Sequence, residues 1–363
     1  MSVISYKCPN CDGELIFDPK TQKYKCEYCY SLFSQEELDA MEPAVQNART
    51  ESADGAAKEA DFDQTKQVTD DAGEAVIYTC PSCGAEIVTD ATTAATFCYY
   101  CHNPVVLGGR LSGEFLPDQV VPFSMDKKTA EQKFLEYLNK KKFIPRAFFN
   151  KKQMEHLSGV YFPYWVYETS MRGHMHAKAT KTRVWRSGDT EFTETSFFDV
   201  EREGRIVLKD MTENALNKAN KVLAEGILPY RMEEAKPFQY GFLSGFLAEK
   251  RDIDKTEIDD RVRTEAREYA GKMLRETVHG YATVTGQQNG FSDAKEKYSY
   301  TLLPIWTLTY KGKDGNTYYY SMNGQTGKVC GKLPIDYKKV ALTAIGSALV
   351  VLLAGIMGGY FIW

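Results

Sequence analysis

The sequence lacks the features that mark a secreted protein, a strongly basic nucleic-acid binder or a common enzyme class. No charged segment followed by a long apolar run opens the chain, so we expect no secretory signal. The formal charge of −4 excludes a globally basic surface. There is no P-loop, no HExxH, no GxSxG and no glycine-rich dinucleotide fingerprint. We therefore predict that the protein is not an enzyme.

Charged side chains are also absent from residues 340–363. A helix of this segment, at about 1.5 Å per residue, exceeds a hydrocarbon core of about 30 Å. Lys338 and Lys339 precede the segment and no charged residue follows it, so the positive-inside rule places residues 1–339 in the cytoplasm. We predict a single-pass anchor in the cell membrane over residues 337–363.

Two glycines stand four residues apart within this apolar segment, at Gly355 and Gly359. A small-xxx-small pair lets two membrane helices approach closely. Glycine is common in membrane helices in general. A homodimer through the membrane helix is therefore a weaker prediction than the anchor itself.

Eight of the nine cysteines fall into two sets of identical spacing, each a pair of CxxC turns separated by fourteen residues. Each CxxC turn directs two thiolates at one ion, and two turns complete a tetrahedron. The fourteen residues between the turns accommodate a β-hairpin. The sequence predicts two structural zinc (Zn²⁺) sites, at Cys8, Cys11, Cys26 and Cys29, and at Cys80, Cys83, Cys98 and Cys101.

Other chemistries for these cysteines fit less well. Disulfides require an oxidising compartment, which the predicted topology excludes. A catalytic zinc site needs an open coordination position, and four thiolates leave none. Iron accepts the same four thiolates, and spacing alone does not distinguish iron from zinc.

We also expect Gly13 and Gly84 to supply the permissive backbone of each first turn.

Composition divides the chain into several parts, which together predict a multidomain protein with two small β zinc ribbons, an α+β body and one C-terminal transmembrane helix. The ribbons occupy residues 1–40 and 77–110, and the body occupies residues 111–336. Between the ribbons, residues 41–76 are rich in acidic residues and Ala, with almost no large apolar side chains. Such a segment cannot bury enough surface to offset its ordering entropy, so we predict a flexible acidic linker.

The body combines predicted helices and strands. Ser124 or Asp126 caps a first helix with Ala130, Phe134, Tyr137 and Leu138 on its apolar face; a second helix follows Asp254, with Ile258, Val262, Ala266, Tyr269 and Met273 on one face. We expect strands at 160–170, 174–186, 190–200, 298–310 and 317–322, and a turn at 313–316.

A short motif recurs in the body. Phe162-Pro-Tyr-Trp165 and Leu303-Pro-Ile-Trp306 share an apolar-Pro-apolar-Trp pattern that leads into a strand. The two motifs would be equivalent strand entries in a duplicated α+β unit. Four residues alone do not decide whether the unit is duplicated.

One stretch of the body is strongly basic and contains interleaved phenylalanines. Residues 126–152 hold nine Lys or Arg against three acidic residues. A solvated helix face and loop explain many such runs. The functional alternatives are contact with anionic lipid headgroups, with an acidic partner, or with a phosphate backbone. The residues of this candidate anionic contact are Lys140, Lys141, Lys142, Arg146, Lys151 and Lys152.

The paired CPxC…CxYC sets, the two Pro-containing strand motifs, the turn from Asn323 to Lys328 and the apolar C-terminal segment occur together. In this combination the chain resembles the bacterial membrane proteins described as TFIIB-type zinc ribbon-containing proteins. One departure is Asp12, which stands where many ribbons place Gly. The resemblance implies that the eight cysteines bind zinc. It also implies a role in membrane-associated assemblies linked to SPFH-domain and phage-shock-type envelope stress proteins.

These observations together favour a membrane-anchored, cytoplasmic-facing zinc-ribbon adaptor that recruits other proteins at the membrane, where it also meets lipid. The alternative is a nucleic-acid-binding zinc-ribbon protein tethered to the membrane. Residues 1–40 carry more acidic than basic side chains, which argues against nucleic acid as the ligand of that ribbon.

Overall fold

A computed structural model gives the fold. It describes residues 3–4, 6–38, 40, 66–70, 73–80, 86–89, 92–98, 104–107, 110–111, 113–144, 157–311, 317–331 and 335–362. Within these residues the protein is mainly β-sheet with a few helices. The predicted turn at 313–316 lies outside the described residues.

The described strands, β1 to β17 in chain order, are Val3–Ile4, Leu15–Asp18, Lys23–Cys26, Leu32–Phe33, Lys66–Asp70, Gly73–Thr79, Glu86–Thr89, Thr93–Phe97, Pro104–Leu107, Gln119–Val120, Ser158–Ser187, Thr190–Asn214, Lys236–Pro237, Leu247–Glu249, Thr283–Lys311, Thr317–Asn323 and Val329–Gly331. The α-helices, α1 to α4, are Lys127–Asn139, Lys221–Gly226, Lys255–Glu276 and Tyr337–Ile362. Short 3-10 turns lie at Gly113–Phe115, Met232–Glu234 and Tyr240–Leu243.

Both predicted body helices are confirmed, with one error in the face of the second. The Asp126 side chain caps α1 by accepting from Thr129 N, and Asp254 caps α3 in a capping box with Glu257. Tyr269 and Met273 are exposed, contrary to prediction. The buried stripe of α3 continues every fourth residue through Ala266, Ala270 and Leu274, and the small side chains of Ala266 and Ala270 permit close packing on the sheet.

The strands predicted between residues 160 and 200 are longer than expected. β11 runs unbroken over the predicted gap near Gly173, and the chain turns only at Gly188, whose φ is +62°. The role of Gly173 is close packing. A Cβ there would lie 2.5 Å from Ile206 Cδ1 and 3.1 Å from Leu274 Cδ1. A glycine in this strand therefore marks the place where α3 approaches the sheet.

One large sheet organises the body. Its order is β1-β9-β8-β14-β11-β15-β10-β13, with β12 also paired to β11 and β16 and β17 continuing from β15. The long strands β11 and β15 lie antiparallel at its centre, from Ser158↔Thr307 to Thr180↔Thr283. An aromatic cluster fills the core beside them, in which the Phe123 ring stacks on Phe246 and meets Trp306 edge-on.

Strand pairing shows that the body is an internal duplication. In the first half, residues 119–214, β10 leads into α1, β11 and β12; in the second half, residues 247–323, β14 leads into α3, β15 and β16. Each short strand pairs in parallel with the long strand of the other half, β10 with β15 and β14 with β11. The pairing centres on Phe162↔Leu303, the first residues of the two Pro-containing motifs.

Backbone hydrogen bonds repeat at the equivalent positions. Pro163 O accepts from Ala215 N at 3.0 Å, and Pro304 O accepts from Gly324 N at 2.8 Å. The carbonyl of Ala215 in turn accepts from Asp252 N, and that of Gly324 accepts from Ser124 N, both at 3.1 Å. These matched bonds identify two copies of one unit: a short strand, a helix, a long strand and a return strand.

The sheet is extended by an arm, formed by residues 168–210 of the first half and residues 283–297 of the second half. It contains the distal parts of β11, β12 and β15, and α3 packs along its base. At the arm tip, residues 181–198, β11 and β12 pair with each other, and β15 extends only to the base of this segment, where Thr283 pairs with Thr180. The pairing register places this tip at the opposite end of the sheet from the pair Lys311↔Thr317 of β15 and β16.

The second cysteine segment is partly described. β8 and β9, on either side of the second CxxC turn, belong to the large sheet, whereas β5, β6 and β7 form a separate three-stranded sheet. β5 and most of β6 lie within residues 41–76, so the structure has strand where we predicted the end of a flexible linker. Residues 41–65 lie outside the described residues.

The C-terminal helix α4 is apolar and exposed. Over Tyr337–Ile356 it is long and apolar enough to cross a membrane, and none of that stretch is buried against the rest of the chain. The full helix of 26 residues would span about 39 Å at 1.5 Å per residue. This helix is a candidate membrane span.

Candidate metal centre

The first cysteine set forms two matching turns. Asp12 N donates to Cys8 O at 2.8 Å in the first turn, and Tyr30 N donates to Cys26 O at 3.0 Å in the second. Asp12 and Tyr30 hold φ values of +60° and +61°. The residue after each CxxC pair therefore adopts the left-handed conformation, which Asp tolerates better than most residues and Tyr does not favour. The surrounding turn must hold Tyr30 in place.

The predicted role of Gly13 is wrong, because the left-handed residue of the first turn is Asp12. Gly13 is needed for space instead. A Cβ at this position would lie 2.6 Å from the Tyr28 ring and 3.2 Å from Cys26 Sγ. Gly84 lies outside the described residues.

A β-hairpin joins the two turns, as the spacing predicts. β2 and β3 pair from Leu15↔Cys26 to Asp18↔Lys23, and β4 adds a third strand. The connection folds back because the Asp18 carboxylate accepts from Lys20 N at 3.1 Å and from Thr21 Oγ1 at 2.8 Å. This hairpin brings the two turns together.

The four sulfur atoms converge at the end of the hairpin. Cys8 Sγ and Cys29 Sγ lie 3.5 Å apart, as do Cys11 Sγ and Cys26 Sγ. All four lie within 4.8 Å of one another. A tetrahedron with metal–sulfur distances of about 2.3 Å has sulfur atoms about 3.8 Å apart. The four cysteines therefore fit one tetrahedral metal ion.

Exposure and hydrogen bonding differ among the four thiols. Cys8 and Cys26 are buried, whereas Cys11 and Cys29 are exposed. Burial raises the pKa of the Cys8 thiol, and the hydroxyl and backbone N–H of Ser31 lower the pKa of the Cys29 thiol to about 6. The lowered pKa favours the thiolate form of Cys29, which is the form that binds metal. With four sulfur ligands the site leaves no coordination position for a substrate.

The first ribbon packs against the body. Phe17 meets the Phe242 ring edge-on, with centroids 5.2 Å apart, and Phe17 N donates to Ser244 O at 3.1 Å. A Cβ at Gly241 would lie within 2.5 Å of Tyr24 Oη, so only glycine permits this approach. Lys20 Nζ lies 2.9 Å from a carboxylate oxygen of Asp126, the cap of α1. The ribbon core and the body core are one continuous cluster.

The structure describes two of the four cysteines of the second set. Cys80 and Cys98 are buried in one small cluster with Tyr78, Val105 and Leu107. Cys83 and Cys101 lie outside the described residues. In the described part of the chain, the first set is the one group of three or more residues that can hold a metal ion.

Of the six predicted basic contact residues, three are described by the structure and three are not. Lys140, Lys141 and Lys142 follow the end of α1 and are exposed. The adjoining backbone contacts the start of α4, because Phe143 O accepts from Asp336 N at 2.7 Å. Arg146, Lys151 and Lys152 lie outside the described residues.

Two features of the site escaped sequence reasoning. One is the left-handed pair Asp12 and Tyr30. Both residues directly follow a CxxC turn, and this shared position could have indicated a shared left-handed conformation. Neither residue is glycine, so the sequence did not indicate that conformation. The other is the docking of the ribbon through Phe17 and Tyr24, which depends on partners more than two hundred residues away in sequence. Their alternation along β2 and β3 indicated burial but not the surface that buries them.

The chain is related over its full length to a known protein. No model of a protein family matches the chain, and no solved structure matches it. The chain is 31% identical over 360 residues to a protein of Bacillus subtilis (strain 168) described as "Uncharacterized protein YdjG", and the match covers 99% of this chain and 96% of that protein. The match spans the cysteine sets, the duplicated body and the apolar segment alike. The chain therefore belongs to the YdjG family.

Proposed function

We propose that this protein is a membrane-anchored adaptor that presents a zinc ribbon to a protein partner in the cytoplasm. The observation that carries the proposal is the ribbon's two-sidedness. One side is fixed to the body through Phe17 and Tyr24, while Tyr28, Tyr30 and Leu32 take no part in this contact and are 70%, 71% and 44% exposed. Exposed aromatic residues grouped on a rigid support are typical of a protein-binding surface.

The proposed metal is zinc, at two structural sites. Four thiolates at tetrahedral spacing suit Zn²⁺, which has no geometric preference of its own and commonly occupies Cys₄ sites. The second site is proposed from its identical spacing, and the burial of Cys80 and Cys98 parallels that of Cys8 and Cys26. Zinc would hold each small hairpin folded, because such hairpins have too little core of their own.

The proposed anchor is α4. Its large apolar side chains, from Leu342 to Ile356, are more than half exposed and would be costly in water. Insertion in a bilayer would bury them. Lys338 and Lys339 at its start favour a cytoplasmic location for the rest of the chain. Attachment to the membrane raises the local concentration of the adaptor relative to partners on the same surface.

A second exposed surface lies far from the anchor, at the arm tip. Trp185 stacks on Phe192, and both are about 40% exposed, while Phe197 is 81% exposed. This surface supports recruitment of a protein over chemistry on a small molecule. SPFH-domain and phage-shock-type proteins, which the family resemblance implies as partners, are the first ones to test.

The test is a crosslinked pull-down from isolated membranes with three variants of the full chain. A ribbon-face variant, Tyr28→Ser/Leu32→Ser, should lose the partner while zinc content and membrane sedimentation stay unchanged. A control variant, Tyr269→Ser/Met273→Ser, removes two large side chains of α3 that are 53% and 44% exposed, and it should keep the partner.

The third variant, Trp185→Ser/Phe197→Ser, tests the arm tip. If this variant alone loses the partner, the partner binds the arm tip and not the ribbon. Recovery that depends on nucleic acid, shown by nuclease treatment in parallel, would favour the tethered nucleic-acid-binding protein instead. Capture that all three variants retain would contradict the adaptor proposal.

A further inference from the structure

The loop after α1 is attached to the base of the proposed membrane helix. α1 ends at Asn139, and the chain continues through Lys140, Lys141 and Lys142 to Phe143 and Ile144. Phe143 O accepts from Asp336 N at 2.7 Å, and Ile144 O accepts from Lys339 Nζ at 2.6 Å. Ile144 is itself buried. Hydrogen bonds therefore join the loop after α1 to the start of α4.

Five lysines stand on the two segments that these hydrogen bonds join, and we name them the lysine collar: Lys140, Lys141, Lys142, Lys338 and Lys339. The first four are exposed and Lys339 is half-buried. Within the described residues, none of the five lies in an ion pair with a carboxylate. The Asp336 carboxylate accepts from the backbone N–H of Lys338 and Lys339. The collar thus concentrates positive charge that the described part of the chain does not neutralise.

Local helix electrostatics explain only part of this arrangement. Cations are favourable near the C-terminal end of α1, which accounts for Lys140 to Lys142. The same argument disfavours Lys338 and Lys339, because they stand at the N-terminal end of α4. Asp336 offsets some of that cost. An external layer of anions would stabilise both groups of lysines at once.

The collar lies at the depth of lipid headgroups if α4 spans the membrane, a condition that rests on the proposed function. The uncharged segment begins at Val340, directly after Lys339. Asp336, which is bonded to the α1 loop, is four residues earlier, or about 6 Å along a helix. That distance is shorter than the Debye length of about 8 Å at physiological ionic strength. Tyr337, which is 76% exposed, is of a type enriched at the membrane interface.

We propose that the lysine collar binds the phosphate groups of anionic phospholipids where α4 enters the bilayer. This contact would orient the body on the membrane. The C-terminal end of α1 lies at the collar. At the other end, its cap residue Asp126 forms an ion pair with Lys20 of the first ribbon. A helix of 13 residues spans about 20 Å, so the bound lipid would hold the ribbon at a set height above the surface.

The test measures lipid selectivity with the full-length chain. Protein purified in a non-ionic detergent is equilibrated with equimolar phosphatidylglycerol and phosphatidylcholine, and the bound lipids are extracted and counted. The intact protein should enrich phosphatidylglycerol, and 0.5 M NaCl should reduce the enrichment. One lysine near an anionic surface changes binding about fivefold. Lys141→Gln/Lys142→Gln should therefore lower the lipid ratio at least fivefold.

The matched control is Lys127→Gln/Lys128→Gln, which removes two adjacent lysines at the other end of α1 and should leave the ratio unchanged. Equal ratios in the intact protein and both variants would overturn the proposal. The proposal would also be overturned if single-stranded RNA bound the intact protein in neutral nanodiscs but did not bind the Lys141→Gln/Lys142→Gln variant. Alkaline carbonate extraction separates the two claims: release of the intact protein would contradict the anchor, whereas retention without lipid selectivity would contradict only the collar.

Discussion

The two halves of the body share one plan but differ in what is added to it. In the first half the return hairpin of β11 and β12 extends into the arm, and the cap of α1 contacts the first ribbon through Lys20. In the second half α3 is longer, with 22 residues against 13 in α1, and the chain leaves β16 and β17 toward the apolar helix. The common unit is a scaffold, and the proposed functional parts are attached at its periphery.

The largest expected difference between the halves concerns two equivalent asparagines. Asn323 is fully buried, donates to Ile227 O and Pro229 O, and accepts from Gln325 N and Thr326 N. Asn214 makes one such bond, to Leu216 O. Asn323→Ala should therefore cost about 3 kcal/mol and Asn214→Ala about 1 kcal/mol, measured by urea unfolding in detergent micelles. Equal costs would show that the two positions are not energetically distinct.

A smaller difference is expected between two equivalent tryptophans. Trp165 Nε1 donates to Ile253 O at 3.0 Å, whereas Trp306 Nε1 is buried with no hydrogen-bond partner among the described residues. In the test, each tryptophan is replaced by Phe in a separate variant. Trp165→Phe loses a bond that Trp306→Phe does not have, so Trp306→Phe should be less destabilising by about 1 kcal/mol. Thermal unfolding followed by circular dichroism gives this comparison, and a greater loss for Trp306→Phe would contradict it.

The smallest effect concerns the two helix caps and their dependence on pH. Hydrogen bonds from Thr256 lower the pKa of Asp254; at Asp126 burial opposes ionisation, but hydrogen bonds from Thr129 and Lys20 outweigh it and lower the pKa. A lowered carboxyl pKa contributes stability above its usual value of about 3.9, which is lost as the pH falls through the folded-state pKa. Asp126→Ala and Asp254→Ala should each cost about 1 kcal/mol at pH 7.

The two caps differ in their further contacts, and the same two variants test this. Only Asp126→Ala removes a contact with the ribbon, so it alone should speed proteolysis of residues 6–38. Both penalties should shrink as the pH falls below about 3.9, the usual carboxyl pKa, because the carboxyl groups of the intact protein then take up protons. Penalties that stay constant from pH 7 to pH 3 would show that ionisation of the caps contributes nothing.

Much of this fold is readable from local chemistry, and the remainder depends on distant partners. Asp126 and Asp254 mark helix starts because capping depends on a few neighbouring residues. The cysteine spacing predicts a hairpin and a four-sulfur site for the same reason. The arm is different: its exposed strands carry both apolar and polar side chains, so no pattern indicated that one strand would run for 30 residues. Duplication was visible in four residues and became evident only from strand pairing.

The docking of the ribbon was the least predictable feature. A flexible linker is predicted directly after the ribbon, so the sequence carries no sign that the ribbon is held against the body. In the structure, Gly241 and Ser244 receive Tyr24 and Phe17 on a surface that the sequence gives no means of locating. A position fixed on the body matters for the proposed function, because it determines that Tyr28, Tyr30 and Leu32 face outward.

The central claim is that four cysteines hold a structural zinc ion in a ribbon fixed to the body. X-ray absorption at the zinc edge, with metal quantification on the purified full-length protein, tests it most directly. We predict sulfur-only coordination by four ligands at about 2.3 Å, two zinc ions per chain, and one zinc ion in Cys26→Ser. Absence of zinc, nitrogen or oxygen ligands in the first shell, or a Cys26→Ser variant that keeps both ions would contradict the account.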